Sequence, residues 1–256
     1  MNRATGREFR RTDKDKLLGT SAIMNRIALL TFILPLAAMA APAQADWITT
    51  WSAAPVRPIQ DGPPFMAAPS FKNQTLVQRL RIAAGGTAVR VRLTNVYGTA
   101  ALAIGGVRIS LVDQAGREVP GSAHRLTFSG QETASIPPHA PLLSDTVAMA
   151  VPDLAKLQVE IYVPGDTGPC TCHQTGDEDM LVSPEGDFLG KAFTPVKTLQ
   201  DRPFLADVEV DAKAGAGTIA MMADSITDGV GATTNADRRW PDLLARRLEQ
   251  ASPGKW

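Results

Sequence analysis

The chain has 256 residues, with 26 basic and 26 acidic side chains, so its formal charge is zero. That balance argues against a dedicated nucleic-acid binder, which shows a basic surplus, and 44% hydrophobic with 20% charged residues argues against a disordered chain. Two cysteines exclude a disulfide-dense scaffold and a four-cysteine zinc module, while 21 glycines and 19 prolines favour turns and short strands over long helices.

The N-terminus reads as a leader, residues 1–45. Met24-Asn25-Arg26 precedes an apolar run from Ile27 to Ala41, broken only by Thr31 and Pro35, and Ala43-Gln44-Ala45 follows. A basic start, a short apolar stretch and small residues at A-x-A spacing predict a secretory signal peptide over 24–45. The run is short for a membrane span, the competing reading. Residues 1–23 are polar and charge-rich, which suggests an over-extended reading frame ahead of Met24; an unusually long basic region is the alternative. Cleavage after Ala45 removes 7 basic and 3 acidic residues and leaves 19 against 23, a net charge of −4. Such a chain is expected to be secreted or periplasmic, without electrostatic attraction to nucleic acid or anionic lipid and without stable membrane insertion.

Residues 46–211 carry a β pattern. Leu76 to Ile82, Thr87 to Thr94, Val107 to Leu111 and Leu157 to Val163 alternate or nearly alternate, and Asp207 to Asp211 is a short late strand. In the clearest case Val89, Val91 and Leu93 point one way and Arg90, Arg92 and Thr94 the other. Turn signals separate the runs at Gly85-Gly86, Gly105-Gly106, Pro137-Pro138 and Pro164-Gly165. This predicts an antiparallel sandwich or jelly roll. Residues 184–206 read as a looser arm, and 212–217 as a flexible joint.

The pattern then changes. Thr218 to Met222 is apolar after its first residue, as in a strand buried on both faces. Residues 238–250 read as an amphipathic helix with Trp240, Leu243, Leu244 and Leu248 on one stripe, Pro241 in the first turn and Asp237 as N-cap. Strand, polar turn and helix open an α/β unit, and residues 212–256 are taken as the first piece of such a domain, too short to bury both faces of its strand. A truncated chain is the favoured explanation.

Between strand and helix lies Ala223-Asp224-Ser225-Ile226-Thr227-Asp228-Gly229. A serine past the carboxyl end of a buried strand can present its hydroxyl to a crevice, and backbone N–H groups near a helix start can stabilise an oxyanion. Serine still needs a histidine base, itself oriented by a third group.

This block, followed by Asn235-Ala236-Asp237-Arg238-Arg239-Trp240-Pro241, resembles the first block of the SGNH/GDSL hydrolases (GDSL-like lipases and acylhydrolases), written G-D-S-x-x-D-G. Thr50-Trp51-Ser52-Ala53-Ala54-Pro55, Leu93-Thr94-Asn95-Val96-Tyr97-Gly98 and Ile136-Pro137-Pro138 resemble the β-rich N-terminal domain of an exported branch of that family. The resemblance implies a flavodoxin-like α/β hydrolase domain opening at residue 212 and ester hydrolysis through a serine acyl-enzyme. No cofactor or metal is implied, and the substrates would be small-molecule, lipid or carbohydrate acyl esters. Ser225 is the implied nucleophile and its N–H an oxyanion donor, with Asp224, Asp228 and Gly229 supporting the turn. Two departures stand out. Ala223 replaces the usual glycine, a change that fails if the position requires positive φ. The family's further glycine, asparagine and Asp-x-x-His elements have no counterpart here. The three histidines, His124, His139 and His173, all precede Ser225. The base and its orienting acid are therefore expected outside this sequence, and the chain alone is expected to be inert.

Other clusters carry less. Cys170-Thr171-Cys172-His173 has the wrong spacing for a structural zinc site and reads as a loop with two incidental thiols or a local bridge. Asp177-Glu178-Asp179 reads as a solvated turn, since calcium needs six or more converging oxygens. The arginines at 79, 81, 90 and 92 read as the wet faces of strands. The competing functional class is a non-catalytic β-sandwich that binds carbohydrate or serves as an interaction module; a non-functional fragment is a third reading.

Overall fold

A computed structural model describes residues 46–59 and 67–256; the predicted signal peptide and its upstream extension lie outside the described residues. The first strands are β1 (Trp47–Ser52), β2 (Ser70–Arg81), β3 (Gly86–Thr94), β4 (Leu102–Ile104), β5 (Gly106–Val112), β6 (His124–Leu126), β7 (Ala134–Ile136) and β8 (Pro141–Leu143). They continue with β9 (Val147–Val151), β10 (Lys156–Pro169), β11 (Cys172–His173), β12 (Met180–Glu185), β13 (Lys197–Leu199), β14 (Arg202–Pro203) and β15 (Leu205–Asp211). Two helices follow, α1 (Ser225–Asp228) and α2 (Trp240–Ala251).

The strands build two main antiparallel sheets. One runs β1-β15-β3, with β9 and β8 pairing successive segments of β3, Gly86–Val89 and Arg92–Thr94; the other runs β13-β12-β2-β10-β5-β6. The pairs β11-β14 and β4-β7 form small separate ribbons. Alternation decides how the sheets face. Val89, Val91 and Leu93 of β3 and Val208 and Val210 of β15 are fully buried, and they share one core with Leu76 and Leu80 of β2, Ile109 of β5 and Leu157, Val159 and Ile161 of β10. Two sheets contributing their inner faces to a single apolar core make a sandwich, the β-rich architecture expected from the sequence.

The opposite face of β3 is less wet than its arginines suggested. Arg90 pairs with Glu209 on the neighbouring β15, and Arg92 reaches both Asp207, at 2.9 Å, and Glu209, at 2.6 Å. The Arg90 guanidinium also lies 4.1 Å from the centre of the Trp47 ring. Cross-strand charge pairing of this kind ties adjacent strands together on a half-covered face.

Three local expectations are corrected. Pro164-Gly165 does not end a strand, because β10 continues to Pro169 and the pairing with β2 slips between Val163 and Asp166 and again between Asp166 and Pro169. Bulges absorb the residues that would otherwise have forced a turn. The arm at 184–206 contains the end of β12 and the short β13 and β14, with Phe204 buried edge-to-face against Phe71 at 6.3 Å. Residues 218–222 form no strand, and Ile219, Met221 and Met222 are exposed. A strand buried on both faces needs backbone partners on both edges, and the described residues provide none for it. Among the described residues no helix is long and apolar enough to cross a membrane.

Candidate active site around Ser225

The serine turn is a short helix capped at both ends. The Asp224 carboxylate accepts from the Ile226 N–H at 3.1 Å, as a side-chain N-cap does. Gly229 ends the helix in the left-handed region at φ 103°, and its N–H donates to the Ile226 carbonyl. A Cβ at position 229 would lie 2.6 Å from Cγ of Arg239 and 2.9 Å from Cβ of Asp177, so glycine is required by conformation and by space together. Ala223, where the family pattern has glycine, is not among the residues at positive φ, so its methyl meets no backbone penalty.

Ser225 opens this helix and is exposed, as is Asp224 beside it. Asp228 points back to the sandwich. Its Oδ1 lies 2.9 Å from Nε2 of His173, whose Nδ1 lies 2.7 Å from the Ala54 carbonyl oxygen. Thr227 Oγ1 accepts from the Trp240 indole N–H at 2.9 Å, which ties α1 to the start of α2. The other two histidines serve elsewhere: His139 sits against the Val96 carbonyl, and His124 lies on β6 at one edge of the larger sheet. The imidazole that approaches the serine block thus engages Asp228, three residues along from Ser225.

The loop from His173 to Asp179 holds the C-terminal segment at several points. Asn235 donates from Nδ2 to Asp179 Oδ2 and accepts the Asp179 N–H, both at 2.7 Å. Thr234 Oγ1 donates to Asp177 at 3.2 Å, and the Arg239 and Arg202 guanidinium groups both approach the Gly176 carbonyl. Glu178 is buried and pairs with Lys156 Nζ at 2.6 Å. The three-acid run read as a solvated turn is instead a docking loop, its carboxylates engaged by protein groups.

Asp237 is likewise not the N-cap of α2. It is buried at φ 50°, and its carboxylate meets Arg81 at 2.7 Å and Lys156 at 3.6 Å. The cap position falls to Arg239, whose N–H donates to Asp242 at 3.1 Å while its guanidinium pairs with both oxygens of the same carboxylate. A buried cation pair on the sandwich outbids a helix end for the Asp237 charge, because an unpaired charge at that depth would cost far more than a lost cap. No local sequence signal marks this, since Arg81 lies 156 residues away.

Between β1, residues 217–224 and α2 lies a cleft of about 670 Å³, lined among others by Trp51, His173, Asp207, Asp228, Leu244 and Leu248. The predicted helix stripe splits here: Leu244 and Leu248 face the cleft, whereas Trp240 and Leu243 remain exposed. Burial raises the Asp207 carboxyl above the ordinary carboxylate range, and does the same for Asp201. It pulls the Arg202 guanidinium down to about 10. Cys170 and Cys172 are bridged and buried in the core, and Cys172 opens β11, which ends at His173.

No family model matches the chain, and no curated protein matches it.

Proposed function

We propose that the chain is part of an exported serine ester hydrolase of the SGNH/GDSL type, with Ser225 as the nucleophile that carries the acyl group. The observation that carries the reading is the exposed Ser225 hydroxyl on a turn fixed from both sides, by the Asp224 cap before it and Gly229 after it. As the first residue of its helix, Ser225 has an N–H without an intrahelical acceptor, the type of donor an oxyanion needs. Residues 212–256 are read as the opening of an α/β hydrolase domain. The exposed apolar side chains of Ile219, Met221, Met222, Ile226 and Val230 support this, because further strands and helices would cover them.

In this reading Ser225 attacks an acyl ester, its proton passes to an imidazole, and the alcohol leaves to give an acyl-enzyme that water hydrolyses. The imidazole is not His124, His139 or His173, whose contacts lie elsewhere. Base and orienting acid come from polypeptide outside this sequence. No metal or cofactor takes part. Export to the periplasm or the medium fits the Cys170–Cys172 bridge, which persists in oxidising compartments.

The test is hydrolysis of p-nitrophenyl acetate. The 256-residue chain and its Ser225→Ala variant are expected to be equally slow. Production together with the polypeptide encoded 3′ of codon 256 is expected to yield turnover that Ser225→Ala reduces by at least about a thousandfold. Turnover that survives Ser225→Ala would overturn the assignment.

A further inference from the structure

Arg202, on β14, is 3% exposed, and no carboxylate forms an ion pair with it among the described residues. Its Nη1 and Nη2 groups donate to two backbone carbonyls, those of Asp201 at 3.3 Å and Gly176 at 3.4 Å, long distances for a charged donor. A cation held this far from water carries a desolvation cost that a counter-charge normally offsets. The carboxylates that act on it, Glu178, Asp201 and Asp179, do so across space. Glu178 is committed to Lys156 at 2.6 Å and Asp179 to Asn235 at 2.7 Å, while burial pushes the Asp201 carboxyl above the ordinary range. The Arg239 guanidinium, which reaches the same Gly176 carbonyl, adds positive charge beside it.

This cation lines the cleft of about 670 Å³ beside the serine turn. The other basic side chains of the cleft are engaged: Arg81 with Asp237, Arg239 with Asp242 and His173 with Asp228. So are Asp207, which pairs with Arg92, and Asp224, which caps the short helix. Gly176 lines the cleft as well. It is not among the residues at positive φ, so its backbone does not call for glycine. A Cβ there would stand 3.1 Å from Nε and 3.3 Å from Cζ of Arg202. Glycine at 176 thus keeps a side chain from crowding the guanidinium.

We propose that the cleft is a binding site for a small organic carboxylate, with Arg202 as the group that holds the carboxylate. A planar guanidinium matches a carboxylate through two parallel hydrogen bonds, and the ligand supplies the counter-charge that Arg202 lacks. The cleft wall sets the rest of the ligand. Ile48, Trp51, Leu244 and Leu248 line it, so an apolar body fits beside the charged end. The site rests on Arg202 and the cleft and does not need the reading of Ser225 as nucleophile. Where that reading also holds, Asp224, Thr227 and Asp228 bring the serine turn to the same cleft, and the substrates are esters that carry a free carboxylate.

The test is a titration of the 256-residue chain with benzoate and with its neutral counterpart benzamide, read by the N–H signals around the cleft in NMR. Benzoate is expected to bind with a Kd of about 1 mM or below, and benzamide at least about tenfold more weakly. Arg202→Met removes the charge, keeps the length and is expected to weaken benzoate at least about tenfold. Gly176→Ala is expected to weaken it in the same direction. Ser225→Ala is expected to leave it unchanged, so failure of the hydrolase reading and failure of this site are separate results. The site is overturned by benzamide binding as tightly as benzoate, by unchanged benzoate binding in folded Arg202→Met, or by no benzoate binding to the wild-type chain at about 10 mM. The comparison of benzoate with benzamide needs no variant and decides the matter if Arg202→Met does not fold. Inorganic phosphate, which has charge without an apolar body, is expected not to displace benzoate at equal concentration; displacement overturns the carboxylate assignment. The chain produced with the polypeptide encoded 3′ of codon 256 is expected to keep benzoate binding. Its loss there would assign the counter-charge to that polypeptide and overturn the ligand site.

Discussion

Gly229 does more at residue scale than terminate a helix. Its φ of 103° and the 2.6 Å approach of Arg239 Cγ to where a Cβ would stand make any side chain strained and crowded at once. Gly229→Ala is expected to lower the stability of the chain by about 1–3 kcal/mol in chemical denaturation; an unchanged midpoint would show that the 229–239 contact is not packed as described. The residues flanking the serine were readable in advance because their roles are local: Asp224 caps, Gly229 turns, and both act within five residues. Asp237 and His173 were not. Asp237 precedes a helix and looks like a cap, but its partner Arg81 comes from β2. His173 belongs to a Cys-Thr-Cys-His string that invites a metal reading, while its partners Ala54 and Asp228 lie 119 and 55 residues away.

At the scale of elements, β3 was legible because Val89, Val91 and Leu93 alternate with arginines over a half-buried sheet. β10 was legible in its first half only, since a bulge leaves no period-two signal beyond Val163. The short β6–β7 connection is held by one carboxylate. Asp145 accepts from Thr127 Oγ1 at 2.6 Å, Gly130 N–H at 2.7 Å and Ser129 N–H at 3.0 Å. The hydrogen bond from Thr127, then those from Gly130 and Ser129, hold its carboxyl below the ordinary value. A folded value below the unfolded one means that the contribution is present above the unfolded value and is lost as pH falls through the folded one. The stability of the wild-type chain is therefore expected to drop on acidification through the carboxylate range. Asp145→Asn, followed by denaturant titration at stepped pH, is expected to flatten part of that drop; an identical acid profile would remove Asp145 from the account.

Across the whole molecule, a sandwich carries a serine turn on its surface. Its docking loop at 173–179 is engaged with residues 228–239 through His173, Asp177 and Asp179. The sandwich could be inferred from alternation and punctuation alone, because two-sheet packing follows from many short one-face-apolar strands. The contact between sandwich and serine segment could not, since it is made by polar pairs far apart in the chain and without periodicity. The apolar run at 218–222 reads as a buried strand, yet it is exposed here, because burial on two faces depends on neighbours that its own residues do not supply. In the proposed hydrolase the sandwich thus has a mechanical task, to hold the nucleophile's turn in place while other polypeptide completes the pocket.

The most direct measurement of the proposal that Ser225 is the nucleophile is covalent labelling. The chain produced with the polypeptide encoded 3′ of codon 256 is treated with a fluorophosphonate, and the modified peptide is identified by mass spectrometry. The account predicts a single phosphonyl adduct on Ser225, absent from Ser225→Ala. No adduct at Ser225 under conditions that label a serine hydrolase control, or an adduct that persists on another residue in Ser225→Ala, would contradict it.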